Sequence, residues 1–494
     1  MTIDVRTMRS TPPGYFTVRW GLPEYTDWID ESMSWKETCY IGDWSFLWER
    51  RFRGPDVLKL FSDISVNSFA RFDIGQSKHV IHTNKNGKVI HEGILSRLDT
   101  EKFLLFGRGC FWADYHLRHG KYNASSEPDD LFNLQVSGPN AIYLLEKASG
   151  QSLRDVKFMH SGKIKIASVE MLALRQGMAG EIGFELQGPI KFREQVTAAV
   201  MDAGKEFGIR KLGGRAVFIN HLEACFPTII TDYCPAMFDD DMEEYRTEFQ
   251  AAMPGFATTF NIAGSFEGNQ ISDWYRSPVE LGWGKNIKFD HDFIGRKALE
   301  PEVADPKRLM RTLVWNADDV VDVYASMFGA ERPYDYMDMP RDQRGFTYAD
   351  KVIKNGKLVG VSTSRGYSYY FRESCRSARL TPRVASREAR SLSFGGIRTA
   401  RKRKSAPRLR QRPTRPTTAS STFTACRRQS RSRSSRRRRR PTSKQKKRGE
   451  THAEISAASW RRARSWTLPG HRPKQIREDR VRQHIQRTDS RDGQ

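Results

Sequence analysis

Cysteine is scarce in this chain of 494 residues, and its six cysteines form no CxxC pair and no Cys/His cluster with zinc-ligand spacing. This scarcity argues against a disulfide framework and favours reduced thiols in a cytoplasm, with the first four packed in the interior. Long apolar runs are also missing, since none approaches the ~20 residues of a membrane-spanning helix. The first residues, with Asp4 and Pro12, lack the apolar core of a signal peptide. We therefore expect a soluble, cytoplasmic protein with no membrane partner.

Acidic residues are nearly absent from one part of the chain, residues 374–494. This segment contains 37 Lys and Arg against 7 Asp and Glu. Residues 1–373 contain 46 Lys and Arg against 51 Asp and Glu. The whole-chain net charge of +25 is therefore a property of the C-terminal segment alone. A mildly acidic body does not predict nucleic-acid binding. The basic segment has little apolar periodicity, so we expect it to be a disordered Arg/Ser-rich tail.

Residues 1–373 mix short strand-like runs with helical ones. Apolar runs at 78–81, 93–95 and 103–106 predict strands, and turn residues at 84–87 separate the first two. Spaced apolar residues at 138–149 and 192–207 predict helices. This arrangement is typical of an α+β fold rather than a regular βαβ alternation.

The stretch with the most chemical content is RQGMAGEIGFELQGP, residues 175–189. Its glycines permit tight backbone bends, and one carboxylate, Glu185, follows within an apolar strand. Burying a carboxylate is costly unless hydrogen-bond donors meet it, and its two oxygens suit a planar ligand with adjacent N–H groups. The pattern alone leaves a second interpretation open, in which Glu185 points to solvent on an edge strand.

Several blocks resemble, in order, those of the aminomethyltransferase family, which includes the T protein of glycine cleavage. The motif at 175–189 resembles RTGYTGEDGFEI of that family, and NGKVIHEGIL (86–95) resembles NGGIIDDLIV. LQVSGPNA (134–141), GGRAVFINHLEA (213–224) and KFDHDFIGRKAL (288–299) resemble three further blocks. Within the family the chain is most similar to tetrahydrofolate-dependent O-demethylases of the vanillate and syringate type.

The resemblance implies an α+β fold of three domains around a central folate channel. It implies a folate-binding region of two interleaved subdomains at 1–300 and the start of a C-terminal β-barrel at 301–373, left incomplete before the tail at 374–494. The implied reaction moves a methyl group from a small-molecule donor to N5 of tetrahydrofolate. No metal is required, and the oligomeric state stays undetermined.

The resemblance also implies a folate-binding set. Glu185 takes the position of the residue that holds the pterin ring, and Gln135 takes the family's amide position beside it. Phe158 is a candidate to stack on the pterin, although a phenylalanine is more often part of a core. Arg175, at the start of the motif, completes the cofactor-binding candidates.

The catalytic candidates are Glu92, Arg108 and His91. Glu92 stands at an acidic position of the family, and His91 beside it is a second titratable group. Adjacent strand residues point to opposite faces, so at most one of the two can face the channel. Arg108 occupies the family's arginine position, and its alternative is a surface ion pair of little energetic weight.

The substrate side departs from the demethylase pattern. Val217 stands where those enzymes carry a tyrosine, and Phe46 and Leu47 stand where they carry two histidines. Methoxylated aromatic acids remain the first donor class, and methylated amines or sulfonium compounds come second.

The basic tail permits two interpretations. In the first, the tail is an arm that binds nucleic acid through counterion release, and the protein is a non-enzymatic nucleic-acid-binding protein. In the second, the tail is the product of a change of reading frame after Glu373. Codons chosen for 374 onward can, in another frame, encode family-like strands ending in PAPY. We favour the change of frame, so no nucleic-acid partner is expected. On that interpretation the barrel loses its last strands and exposes an apolar face at 313–315 and 359–361.

Overall fold

The computed structural model describes residues 5, 8, 21–179, 181–254, 261–334, 338–341, 346–385, 393, 394 and 408–410. All of them lie in one compact unit, Met1–Thr422, and the second unit, Phe423–Gln494, lies outside the described residues. The helices are α1 (Trp28–Glu37), α2 (Val57–Ile64), α3 (Gly109–His119), α4 (Ala141–Ser149), α5 (Arg193–Gly204), α6 (Gly214–Glu223), α7 (Glu243–Ala252), α8 (Arg296–Ala304), α9 (Ala317–Ala325) and α10 (Pro382–Ala385).

The strands are β1 (Cys39–Asp43), β2 (Glu49–Arg53), β3 (Ser77–Thr83), β4 (Val89–Asp99), β5 (Lys102–Phe106), β6 (Ser125–Pro128), β7 (Leu131–Ser137), β8 (Ser161–Ile166), β9 (Val169–Arg175), β10 (Gly183–Pro189), β11 (Ile209–Lys211), β12 (Asn261–Ala263), β13 (Leu309–Val314), β14 (Phe346–Tyr348), β15 (Asp350–Lys354), β16 (Lys357–Ser368), β17 (Glu373–Leu380), β18 (Ser393–Phe394) and β19 (Arg408–Arg410). They form three large sheets and one pair, β12 with β14.

The first sheet has the order β3-β4-β5-β2-β6 and carries the three predicted strands, which the structure confirms. The turn at 84–87 joins β3 to β4 as an antiparallel hairpin, with Gly87 at φ 68°. One face packs against the apolar side of α2, through Leu60 and Phe61, and against α3. Burial of this face fixes which residues of each strand point away from the core.

The second sheet has the order β11-β1-β7-β10-β9-β8. Helices α4 and α5, which confirm the two predicted helices with slightly later starts, share a core with it that includes Leu144, Val196 and Val200. Helix α4 stops at Gly150, whose left-handed φ of 67° lets the chain turn where a side chain would be strained. Strand β10 lies between β7 and β9, so the predicted ligand strand is an interior strand.

The third sheet has the order β18-β15-β16-β17-β13-β19, and among the described residues it does not close into a barrel. This agrees with the incomplete C-terminal barrel expected from the sequence. Strand β17 continues to Leu380, seven residues beyond the expected boundary at Glu373. The division at residue 300 stays a prediction, and most of the tail lies outside the described residues.

Two arginines of the basic segment, both on β17, are buried in this sheet. Arg376 pairs with Asp350 at 2.5 Å, and Arg379 pairs with Asp232 at 3.2 Å. All four side chains are nearly inaccessible to solvent. A buried guanidinium is tolerated only when a carboxylate meets it, so these pairs explain how a strand with two arginines can lie between β16 and β13.

The apolar face expected to be exposed is covered in the structure. Leu313 and Val361 are buried, and Leu313 packs with Ala378, Leu380 and Val384 of β17 and α10. The expectation of an exposed face was wrong at these positions because the first residues of the basic segment supply enough apolar side chains to cover it.

The described cysteines confirm the expectation of interior thiols. All five of them are buried and outside any disulfide: Cys39, Cys110, Cys225, Cys234 and Cys375. Cys426 lies outside the described residues. Among the helices that the structure describes, none is both long and apolar enough to cross a membrane.

Candidate functional site

Glu185 lies in the middle of β10, directly opposite Gln135 of β7 and Leu174 of β9. Its neighbours Phe184 and Leu186 are fully buried, and Glu185 itself is only 8% exposed. The alternative of a solvent-facing carboxylate on an edge strand is therefore excluded. A carboxylate in such a place needs donors, and the surrounding side chains supply part of them.

Amides surround one oxygen of the Glu185 carboxylate. Gln135 Nε2 donates to Oε1 at 3.3 Å, and Gln176 Nε2 donates to the same oxygen at 3.0 Å. Tyr40 donates its hydroxyl to Gln135 Oε1 at 2.5 Å, which fixes the orientation of that amide. Burial raises the pKa of Glu185 to about 7, and hydrogen bonds from Asn133 and Gln135 offset part of the rise. The carboxylate is thus partly satisfied and held in one place.

The loop before β10 is closed too tightly for a side chain at Gly177. A Cβ there would lie 2.1 Å from the carbonyl oxygen of Glu181. The left-handed conformation falls on Ala179, with φ 55°, rather than on a described glycine. Gly180 of the motif lies outside the described residues. The loop therefore brings Gln176 back to Glu185 through close backbone approach.

Phe158 and Arg175 lie beside this strand. Phe158 precedes β8 and is 45% exposed, which removes the alternative of a core residue. Arg175 pairs with Phe184 across β9 and β10, and its Nη1 donates to the carbonyl of Val156 at 2.7 Å. Arg175 thus anchors the segment that carries Phe158. A direct contact of either residue with a cofactor stays a prediction.

Glu92 lies on β4 and pairs with a residue that sequence reasoning did not single out. His79 Nε2 is 3.0 Å from Glu92 Oε2, and both side chains are partly exposed, at 16% and 26%. In the hairpin register Glu92 stands opposite Ile81, so His79 is its diagonal neighbour on the same face. The turn at 84–87 sets this register. Pairing the strand residues outward from this turn would have predicted that His79 lies near Glu92.

His91 points to the other face of the same strand, as the alternation predicts. It is fully buried against Tyr245 and Phe249, at centroid distances of 6.1 and 5.2 Å. Neither ring nitrogen has a hydrogen-bond partner among the residues that the structure describes, and burial holds the pKa of His91 well below its usual value. The structure therefore separates His91 from Glu92, and we assign it a place in the core.

Arg108 lies at the N-terminal end of α3, next to the backbone of Glu92. Gly107, at φ 105°, makes this approach possible, because a Cβ there would lie 3.0 Å from the carbonyl oxygen of Glu92. The Arg108 guanidinium lies 5.3 Å from the centroid of Trp48. The two glycines that flank Arg108 thus bring its backbone close to that of Glu92.

An aromatic wall borders the His79–Glu92 pair. The ring of His79 stands perpendicular to Trp283 at 4.9 Å and tilted against Phe226 at 5.7 Å. Phe226 also lines a narrow cleft, together with His221 and Arg341. Acid–base groups, flat apolar surfaces and a guanidinium therefore occur within one connected region. Such an arrangement suits a planar ligand that undergoes proton transfer.

Comparison with known proteins gives consistent relatives. The family described as the GCVT N-terminal domain matches residues 12–241. Syringate O-demethylase of Sphingobium sp. is 32% identical over 399 residues, which cover 78% of this chain and 85% of that protein. Sesamin methylene transferase of Sinomonas sp. is 32% identical over 371 residues, covering 71% and 80%.

A solved structure shares the architecture. Glycine cleavage system aminomethyltransferase T from Bartonella henselae superposes with a TM-score of 0.58 at 17% identity. The match covers 82% of this chain and 94% of that one. At this identity the likeness concerns the fold, and it confirms the fold class predicted from the sequence blocks.

Proposed function

This chain belongs to the aminomethyltransferase (GCVT) family, and from that premise we propose that it is a tetrahydrofolate-dependent O-demethylase. The reaction transfers a methyl group from a methoxylated aromatic acid to N5 of tetrahydrofolate and leaves a phenol. Tetrahydrofolate supplies the nitrogen nucleophile. The residues of this chain bind and orient the two substrates and manage the proton.

The buried carboxylate of Glu185 is the observation that carries the proposal. Its Oε1 already accepts from Gln135 and Gln176, and Tyr40 fixes the first of these amides. A pterin presents adjacent N–H groups on one edge, which fit a carboxylate whose donor set is still incomplete. Glu185 would hold that edge, with Gln135 beside it and Phe158 stacking on the ring.

The donor class follows from the second group of residues. Trp283 and Phe226 offer flat apolar surfaces beside His79 and Glu92, and such surfaces favour an aromatic ring. Arg341, in the adjoining cleft, contributes positive charge suited to the carboxylate of an aromatic acid. Syringate O-demethylase, by its name, acts on a donor of this kind.

The direct test is product formation. We expect the purified protein, given syringate and tetrahydrofolate, to form 5-methyltetrahydrofolate and the demethylated phenol in equal amounts, as measured by liquid chromatography with mass spectrometry. Trimethylamine and dimethylsulfoniopropionate are the parallel donors. If the protein demethylates either of these two compounds and no methoxybenzoate, the methyl donor is a cationic compound rather than an aromatic acid. An absence of tetrahydrofolate binding in calorimetry would overturn the proposed function as a whole.

Folate affinity should depend on pH through Glu185. Its pKa is raised to about 7 by burial, while pterin N–H donors stabilise the ionised form. Binding below pH 7 must therefore release a proton, and affinity should rise by up to about tenfold per pH unit before levelling above pH 8. Calorimetry in two buffers of different ionisation enthalpy measures the released proton. Glu185→Gln should bind with no such pH dependence, and a slope retained in that variant would contradict the assignment.

A further inference from the structure

The hydrogen bonds around His79 define where its proton lies. Asn286 Nδ2 lies 3.4 Å from His79 Nδ1, and an amide nitrogen can only donate. Nδ1 is therefore the acceptor, and the neutral ring carries its proton on Nε2, directed at Glu92 Oε2 at 3.0 Å. One oxygen of the carboxylate is oriented by the imidazole. The other is left for a ligand on the partly exposed side.

Titratable groups of several elements packed around this pair interact with Glu92. These groups are His82 of β3, His221 of α6 and Tyr233 of the loop after α6. Burial lowers the pKa of His82 and of His221 to about 4, and it raises the pKa of Tyr233 well above its usual value. Those three are neutral near pH 7, and the charged neighbours that interact with them include Arg108, Asp232 and Arg341.

We propose that His79 and Glu92 act as a proton-donating pair for the donor oxygen that loses its methyl group, with Glu92 touching the substrate and His79 positioning and recharging it. The proposal rests on the proposed function and adds to it the residue that manages the proton. Trp283 and Phe226 place a planar ring beside the pair. No other described His–carboxylate pair is bordered by such an aromatic wall and a cleft.

The proton balance of the step is simple. The bond between the methyl carbon and the donor oxygen breaks, its electron pair stays on the oxygen, and the methyl carbon bonds to N5 of tetrahydrofolate. N5 loses its proton to solvent, and the oxygen gains one from Glu92 when the pair holds one proton more than neutral imidazole and carboxylate. The pair then recovers that proton from solvent. A general acid works only while it holds its proton, so activity should fall at alkaline pH.

The experiment compares His79→Gln and Glu92→Gln with the native protein, using syringate and ring-substituted methoxybenzoates at saturating tetrahydrofolate. We expect kcat to fall by about 10²-fold in each variant, with KM within about threefold, and the alkaline limb of the kcat profile to disappear. The loss should be largest for donors whose phenol product has a high pKa, because such a leaving oxygen needs the proton most. His119→Gln, which breaks the exposed His119–Glu248 pair, is the matched control and should change neither profile.

A binding measurement separates proton transfer from a structural role. The demethylated product of syringate can donate its new hydroxyl to Glu92, whereas syringate itself offers a methyl ether there. Calorimetry should therefore show the native protein preferring the product, and Glu92→Gln losing about tenfold of that preference. Retention of the alkaline limb and of an unchanged leaving-group dependence in both variants would overturn the inference. A native protein that turns over no methoxybenzoate would instead overturn the proposed function.

Discussion

Glu185→Ala should weaken tetrahydrofolate binding by at least about 100-fold. The carboxylate offers charge-assisted hydrogen bonds to adjacent pterin N–H groups, each worth about 1.5–3 kcal/mol, and alanine offers none. No other described carboxylate lies between Gln135 and Gln176 to take its place. Isothermal titration calorimetry of the variant with tetrahydrofolate measures the loss directly.

Glu49→Ala is the matched control. Glu49 is also a buried carboxyl on a strand, and burial raises its pKa to about 8, but it belongs to β2 of the first sheet. Removing it should leave folate affinity within about threefold of native. Equal affinities in Glu185→Ala and the native protein, with both folded, would show that the pterin anchor lies elsewhere.

Glu185→Ala should also differ from the native protein in how its thermal stability depends on pH. Because the folded protein raises the pKa of Glu185, it favours the protonated form, a contribution present below pH 4.5 and lost as pH rises through about 7. When the pH is raised from 6 to 8, the melting temperature of Glu185→Ala should therefore fall less than that of the native protein. Weaker binding together with preserved stability is the signature of a residue kept for its ligand.

Asp232→Ala should destabilise the protein by about 3–5 kcal/mol, because it leaves the buried guanidinium of Arg379 without its carboxylate. Burial alone would raise the pKa of Asp232, but Arg379 and hydrogen bonds from Thr228, Thr363 and Ser364 outweigh it and hold this pKa below its usual value. Among the described residues Nε and Nη2 of Arg379 have no hydrogen-bond partner, so the guanidinium depends on Asp232 for charge compensation. Urea unfolding followed by circular dichroism measures the difference.

Two variants sharpen this test. Adding Arg379→Met to Asp232→Ala removes the uncompensated charge and should restore part of the lost stability. Lys59→Ala, which breaks the exposed Lys59–Asp63 pair, should cost less than about 0.5 kcal/mol. If Arg379→Met and Asp232→Ala each leave the unfolding midpoint unchanged, the first residues of the basic segment do not form β17 between β16 and β13.

Much of the surroundings of Glu185 could be predicted from the sequence. The glycine-bounded motif placed Glu185 on a strand with apolar neighbours, and the ordered blocks brought Gln135 beside it. What pattern alone could not decide was burial, because an interior and an edge strand can share one alternation. The position of β10 between β7 and β9 settled that question.

The surroundings of Glu92 were predicted less well. Strand alternation correctly separated His91 from Glu92, but it could not say which of the two faced the core. His79 was missed because a diagonal contact between strands depends on register, and register depends on the turn and its bulge rather than on local composition.

By itself, the sequence determined the family, the α+β class, the carboxylate of Glu185 on an apolar strand and the break in charge near residue 373, because these are properties of composition and of short ordered motifs. Only the tertiary structure decided that His79 meets Glu92, that His91 belongs to the core and that Arg376 and Arg379 enter a sheet. The physical reason is common to all three. Each depends on which side chains meet when separate elements pack together, and burial acts on that pairing rather than on the residues singly.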